Sequence, residues 1–145
     1  MTDVLRLTVP GIPVPQGSSR AFIRGGRAIV TSANARLRPW RSTVTAAAAE
    51  AHKDAPPISG PVRVRLGFTF PRPAGHFGKR GLRSSAPAYP AVRPDLDKLV
   101  RAVLDALTES GCIRDDAQVV SLFAGKVYGE APGVSVIVST EDIQA

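Results

Sequence analysis

A chain of 145 residues, 43% hydrophobic and 21% charged, can bury one core and is too balanced in composition for a disordered segment. Its single cysteine, Cys112, excludes a disulfide framework and a cysteine zinc site, and no apolar run approaches the ~18 residues of a membrane span. A formal net charge of +7 points to an acidic partner.

In chain order, Val4, Leu5, Leu7 and Val9 against Arg6 and Thr8 give the alternation of a first strand. The opening lacks a basic segment followed by an apolar core, so a reducing cytoplasm is the expected location. A Pro/Gly/Ser loop, GIPVPQGSS, follows. Residues 20–24 and 27–31, separated by Gly25-Gly26, predict a hairpin, because two glycines accept the backbone of a two-residue turn. Trp40, Val44, Ala47, Ala48 and Ala51 lie on one face of a helix predicted over 39–53, opened by Pro39 and closed before Pro56-Pro57. Val62, Val64, Leu66, Phe68 and Phe70 alternate as one face of a strand. Residues 71–92 are rich in Pro and Gly, carry Arg72, Lys79, Arg80 and Arg83, and hold no acid; a loop of that length is functional or disordered. A second helix from about Asp95, a strand running to Tyr128 and a last strand over 134–139 complete the chain. The order implies an α+β fold, a sheet with two helices on one face, in a single domain over 1–145 with a long basic loop at 71–94.

The acids are unevenly placed. Residues 1–94 hold 15 Lys and Arg against three acids, net +12, and the remaining 51 hold four against nine, net −5. Six of the 12 acids fall between positions 95 and 116: Asp95, Asp97, Asp105, Glu109, Asp115 and Asp116. Basic surface attracts a polyanion and clustered carboxylates hold a hard divalent cation, a pairing that suggests metal-dependent chemistry on a nucleic-acid phosphate. Leu96, Leu99, Val100, Val103, Leu104 and Leu107 form a complete helical stripe, and Gly111 marks its stop. Because residues two apart on a helix diverge by about 200°, Asp95 shares a ligand with Asp97 only from the incoming loop. An N-cap aspartate makes the same demand, so geometry alone leaves both readings open. Strand parity puts Asp116 in phase with Gln118, Val120, Leu122, Ala124 and Lys126, without deciding between Asp115 and Asp116.

PDLDKLVRAVLDAL, a short turn, DDAQVV and a downstream Lys resemble the signature of the RusA family of Holliday-junction resolvases, small homodimeric Mg-dependent endonucleases. On that resemblance the paired Asp-x-Asp falls on Asp95 and Asp97, the basic position on Arg101, the Asp-Asp pair on Asp115 and Asp116, and the Lys on Lys126. The family's second paired Asp, here Asp116, is its catalytic acid, and its fold is a small mixed β-sheet with helices packed on it. The likeness is strong over 94–126, looser over GIPVPQGSSR, and fades between them. Two positions depart from the family pattern: Lys98 stands where Asn is common, and Arg101 where Lys occurs. An Arg supplies charge to a phosphate but does not shuttle a proton.

The resemblance implies Asp95, Asp97 and Asp116, with Asp115 as a further candidate, around Mg²⁺ or Mn²⁺, and Arg101 and Lys126 steadying the phosphate. Arg20, Arg24, Arg27, Arg72, Lys79, Arg80, Arg83 and Lys98 are the candidate DNA contacts, and a four-way junction and a homodimer are the implied partners. Simpler readings stand beside these: Asp95 as a cap, Asp97 as a first-turn acid, Asp115-Asp116 as a turn, Asp105 as a surface partner of Arg101, and Glu109 and Glu130 as solvent residues. A non-catalytic nucleic-acid-binding module and a nuclease of flaps or plain duplex are the rival functions.

Overall fold

The computed structural model describes residues 2–17, 19–24, 27–32 and 35–140. A four-stranded sheet is built from β1 (Thr2–Pro10), β4 (Val62–Phe70), β7 (Val119–Tyr128) and β8 (Gly133–Thr140), in the order β1-β8-β4-β7. β8 pairs antiparallel with both β1 and β4, and β4 pairs parallel with β7, so the sheet is mixed and the fold α+β. Parallel neighbours need a crossover, which α2 (Leu96–Glu109) supplies. Its partner α1 (Leu37–His52) packs against α2 and β1. Both helices cover one sheet face.

The core follows from two periodicities. Val62, Val64, Leu66, Phe68 and Phe70 of β4 are all buried and meet Val134, Val136 and Val138 of β8. From the helices, Trp40, Val44, Leu99, Val103 and Leu107 close over them. Leu96 and Leu104, on the same apolar stripe, are only partly buried, because their side of α2 looks along β7 rather than into the sheet. α2 ends at Gly111 in the left-handed region, at φ 82°, as the sequence predicts. α1 ends sooner than its prolines require. Lys53 takes the left-handed conformation at φ 53° and turns its N–H back onto Ala49 and Glu50.

The expected hairpin is present as β2 (Ser19–Arg24) and β3 (Arg27–Ser32), with Arg24 opposite Arg27; its Gly25-Gly26 turn lies outside the described residues. Of the two expectations for the basic loop, functional or disordered, the second fails, because the loop is folded. It contains a 3₁₀ turn (Ala74–His76) and a minimal ribbon, β5 (Phe77–Gly78) with β6 (Gly81–Leu82). Arg72 pins it by donating to the Pro87 carbonyl at 2.7 Å, and the Arg83 amide donates to the His76 carbonyl at 2.8 Å. Among the described residues no helix is long and apolar enough to cross a membrane.

Candidate active site

Chemistry-bearing residues gather at both ends of α2. At the N-terminal end, the Arg93–Pro94 peptide is cis and Asp95 takes the N-cap position in extended backbone, φ −69° and ψ 136°. An N-cap aspartate normally accepts from the first helical amides. The Asp95 side chain makes no such bond, and Lys98 stands 4.0 Å from it. Asp97, one residue into the helix, is exposed and lines an open apolar groove with Leu96, Val100, Arg101 and Leu104 of α2 and Leu122 and Ala124 of β7. The groove encloses about 610 Å³ beside the outer edge of β7, an edge strand of this sheet.

Lys126 closes this end. Its ammonium donates to the carbonyls of Val92 at 2.6 Å and Pro94 at 2.7 Å, anchoring the segment that delivers Asp95. Two of its three N–H groups are therefore engaged in positioning. The Gln16 amide donates to the Lys98 carbonyl at 2.9 Å, tying the loop after β1 to the first turn of α2.

At the C-terminal end the Asp-Asp pair divides its labour. Asp115 caps the 3₁₀ turn Asp116–Gln118: its carboxylate accepts from the Ala117 amide at 2.8 Å, and Gln118 returns a bond to the Asp115 amide at 3.1 Å. That turn delays β7 until Val119, so the strand phase expected for Asp116 does not extend to it. Asp116 instead accepts from the Thr108 hydroxyl at 2.6 Å. Asp105, partly buried one turn back, has its carboxyl pushed above the usual range, first by burial and then by the neighbouring Asp116 charge, with Arg41 and Arg101 pulling the other way. Glu109 is exposed, as expected, and also bridges to Arg41, tying α1 to α2.

The two ends do not meet within one chain. Asp97 and Thr108 are eleven helical residues apart, about 16 Å along the axis. Among the described residues, no three His, Cys, Asp or Glu side chains stand close enough to hold a metal ion together. The candidate cations scatter more widely. Arg101 shares the groove with Asp97, and Lys98 pairs with Asp95. Lys79, Arg80 and Arg83 are exposed on the basic loop, whereas Arg72 turns inward onto the Tyr128 ring, 4.6 Å from its centroid. The side chains of Arg20, Arg24 and Arg27 lie outside the described residues.

Mixed sheet, crossover helix and divided aspartates describe an α+β domain with acids at both ends of one helix, and the comparison of sequences puts it among the endodeoxyribonucleases. The chain belongs to the family described as endodeoxyribonuclease RusA, whose pattern it matches over residues 10–139. It is also 32% identical over 139 residues to a protein of Bacillus subtilis (strain 168) described as uncharacterized protein YqaN, covering 94% of this chain and 96% of that one. Sequence reading missed Thr108 and the fold of the basic loop. The Asp115-x-x-Gln118 capping box was the one readable sign of how the aspartate pair divides.

Proposed function

We propose that the protein is a homodimeric, Mg²⁺-dependent endonuclease that resolves four-way DNA junctions. The observation that carries this reading is which carboxylates local structure leaves available. Asp115 is engaged as a cap, while Asp95, at a cap position, makes no cap bond, and Asp97 stands exposed in a groove. Asp116 is oriented by a hydroxyl, as the carboxylates that ligate metals commonly are.

A single chain does not assemble the donor set, since about 16 Å of helix separates Asp97 from Thr108, the residue that holds Asp116. Two copies related by a two-fold axis remove that obstacle: Asp95 and Asp97 of one copy would face Asp116 of the other. The exposed Val120 and Leu122 of edge strand β7, with the apolar groove beside them, offer the surface for such a pairing. An ion held there would polarise the phosphodiester and lower the pKa of an attacking water. Arg101, permanently charged, would hold a phosphate oxygen without moving a proton. Lys126 would keep Asp95 in place through the carbonyls of Val92 and Pro94.

The separation of the acids in one chain also favours a second reading, a DNA-binding module without chemistry. Labelled junctions, flaps and duplexes incubated with Mg²⁺ or EDTA decide between them. Paired nicks in opposed junction strands, present with Mg²⁺ and absent with EDTA and in Asp97→Asn, are expected. Tight, salt-sensitive binding with no scission would leave only the binding module.

A further inference from the structure

At the far end of β7 from the aspartate pair, the folded basic loop encloses a second cavity. It measures about 420 Å³ and is lined by Pro71, Arg72, Phe77, Leu82, Tyr128 and Glu130, with Gly129 between the last two. That volume lies within the ~300–1,000 Å³ of small-molecule sites. Phe77 and Leu82 face each other across the β5–β6 ribbon and are 47% and 53% exposed. A ribbon of two residues per strand cannot hold two large apolar side chains in water by itself. The bonds that hold it come from Arg83, whose amide meets the His76 carbonyl and whose guanidinium meets the Phe77 carbonyl at 3.2 Å. Tyr128 is fixed from two sides, with Arg72 over its ring and His76 against it edge-on at 5.3 Å.

Charge selects the occupant. The turn joining β5 to β6 is Lys79-Arg80, Arg83 follows, and positions 71–94 contain no acid, so the outside of the loop suits a phosphate backbone. The cavity itself is mostly apolar and aromatic; its one cation, Arg72, is engaged by the Pro87 carbonyl and the Tyr128 ring, and its carboxylate, Glu130, accepts from a base amino group. A nucleotide would thus lay its phosphate on the ribbon tip and its base in the cavity. Tyr128 stands two residues beyond Lys126 on the same face of β7, about 7 Å at the rise of a strand. That distance is about two nucleotide steps at ~3.4 Å each. A cleft lined by Pro94, Val92, Lys126 and Tyr128 joins the two places. We propose that this cavity takes a single unstacked base next to the scissile phosphate, stacked against Phe77 and Tyr128, and that it selects DNA whose bases are unpaired at a branch point.

The proposal rests on the nuclease reading, and its test separates the two. Binding is measured in EDTA on a four-way junction, on junctions with one abasic residue at each position within two nucleotides of the branch, and on matched duplex. Base–aromatic stacking predicts that one abasic position weakens wild-type binding about 5- to 100-fold. Phe77→Ala should weaken binding to the intact junction similarly, lose little more on the abasic one, and leave duplex binding unchanged. Leu82→Ala serves as a second variant, and thermal melts verify that both fold. Junction binding indifferent to every abasic position overturns the proposal while leaving the nuclease intact. So does equal loss on duplex, or dissociation of the dimer by Phe77→Ala, which would make the patch a contact between copies. A wild-type protein that cuts no DNA with Mg²⁺ overturns the nuclease reading instead.

Discussion

The two ends of α2 hold similar residues in opposite circumstances. At the N-terminal end, Asp95 and Asp97 are exposed, and the contacts nearby hold backbone: Lys126 on the carbonyls of Val92 and Pro94, Gln16 on Lys98. At the C-terminal end the acids themselves are held, Asp116 by Thr108, Asp115 by its own turn, and Glu109 by Arg41. The N-terminal end presents exposed carboxylates, Asp95 with Lys98 at 4.0 Å, whereas the C-terminal end orients one carboxylate, Asp116, by a hydroxyl while Glu109 ties α2 to α1. A straight helix between them then forbids the two sets from meeting in one chain.

The largest effect should come from mixing subunits. If Asp97 of one copy works with Asp116 of the other, pure Asp97→Asn and pure Asp116→Asn dimers each lack every complete site. Unfolding and refolding a 1:1 mixture yields heterodimers with one intact site and one doubly defective site, and random pairing restores about a quarter of wild-type sites. The expected signal is single-strand nicking of junctions by the mixture, from two proteins that are each inactive. No recovery from well-folded mixed dimers would place both carboxylates in the same copy and break the comparison.

A smaller effect separates orientation from ligation. Thr108→Val keeps shape and removes the hydroxyl that Asp116 accepts from. Losing such a supporting bond typically weakens metal affinity about 10- to 100-fold. Cleavage measured against Mg²⁺ concentration should shift its midpoint upward by that factor and recover at saturation, with the melting temperature little changed. Thr108→Ser, which restores the donor, should restore the midpoint.

How far the sequence revealed this arrangement depends on the range of the interaction. The α2 stripe and the β4 alternation repeat the same signal at every turn or every second residue, so both elements were readable within a residue or two. The fold of residues 71–92 was not, because it rests on a few bonds to carbonyls and on Arg72 meeting Tyr128, which is remote in sequence. Glu109 is exposed as expected, but its bond to Arg41 was unreadable for the same reason, the partner lying 68 positions away. The strand phase of Asp116 failed for a local reason: the Asp115–Gln118 box inserts a 3₁₀ turn and shifts the start of β7. The expectation that Asp95, Asp97 and Asp116 meet around one ion fails within one chain, because Asp116 is bound to Thr108, eleven residues along α2 from Asp97.

The smallest effect sharpens the contrast within the aspartate pair. Asp115 accepts from the Ala117 amide, and Gln118 completes the box by binding the amides of Arg114 and Asp115 and the carbonyls of Ile58 and Gly60. Asp115→Ala removes the cap and should cost about 0.5–2 kcal/mol of stability. For a domain of this size that lowers the melting temperature by about 3–4 °C per kcal/mol. Below that temperature junction cleavage should stay within a few-fold of wild type, because the cap carboxylate is bound into its own turn. Asp116→Ala should show the reverse pattern, losing cleavage by far more than stability. A cleavage defect in Asp115→Ala as deep as that of Asp116→Ala would mean that both acids serve the ion and that the capping bond yields when DNA binds.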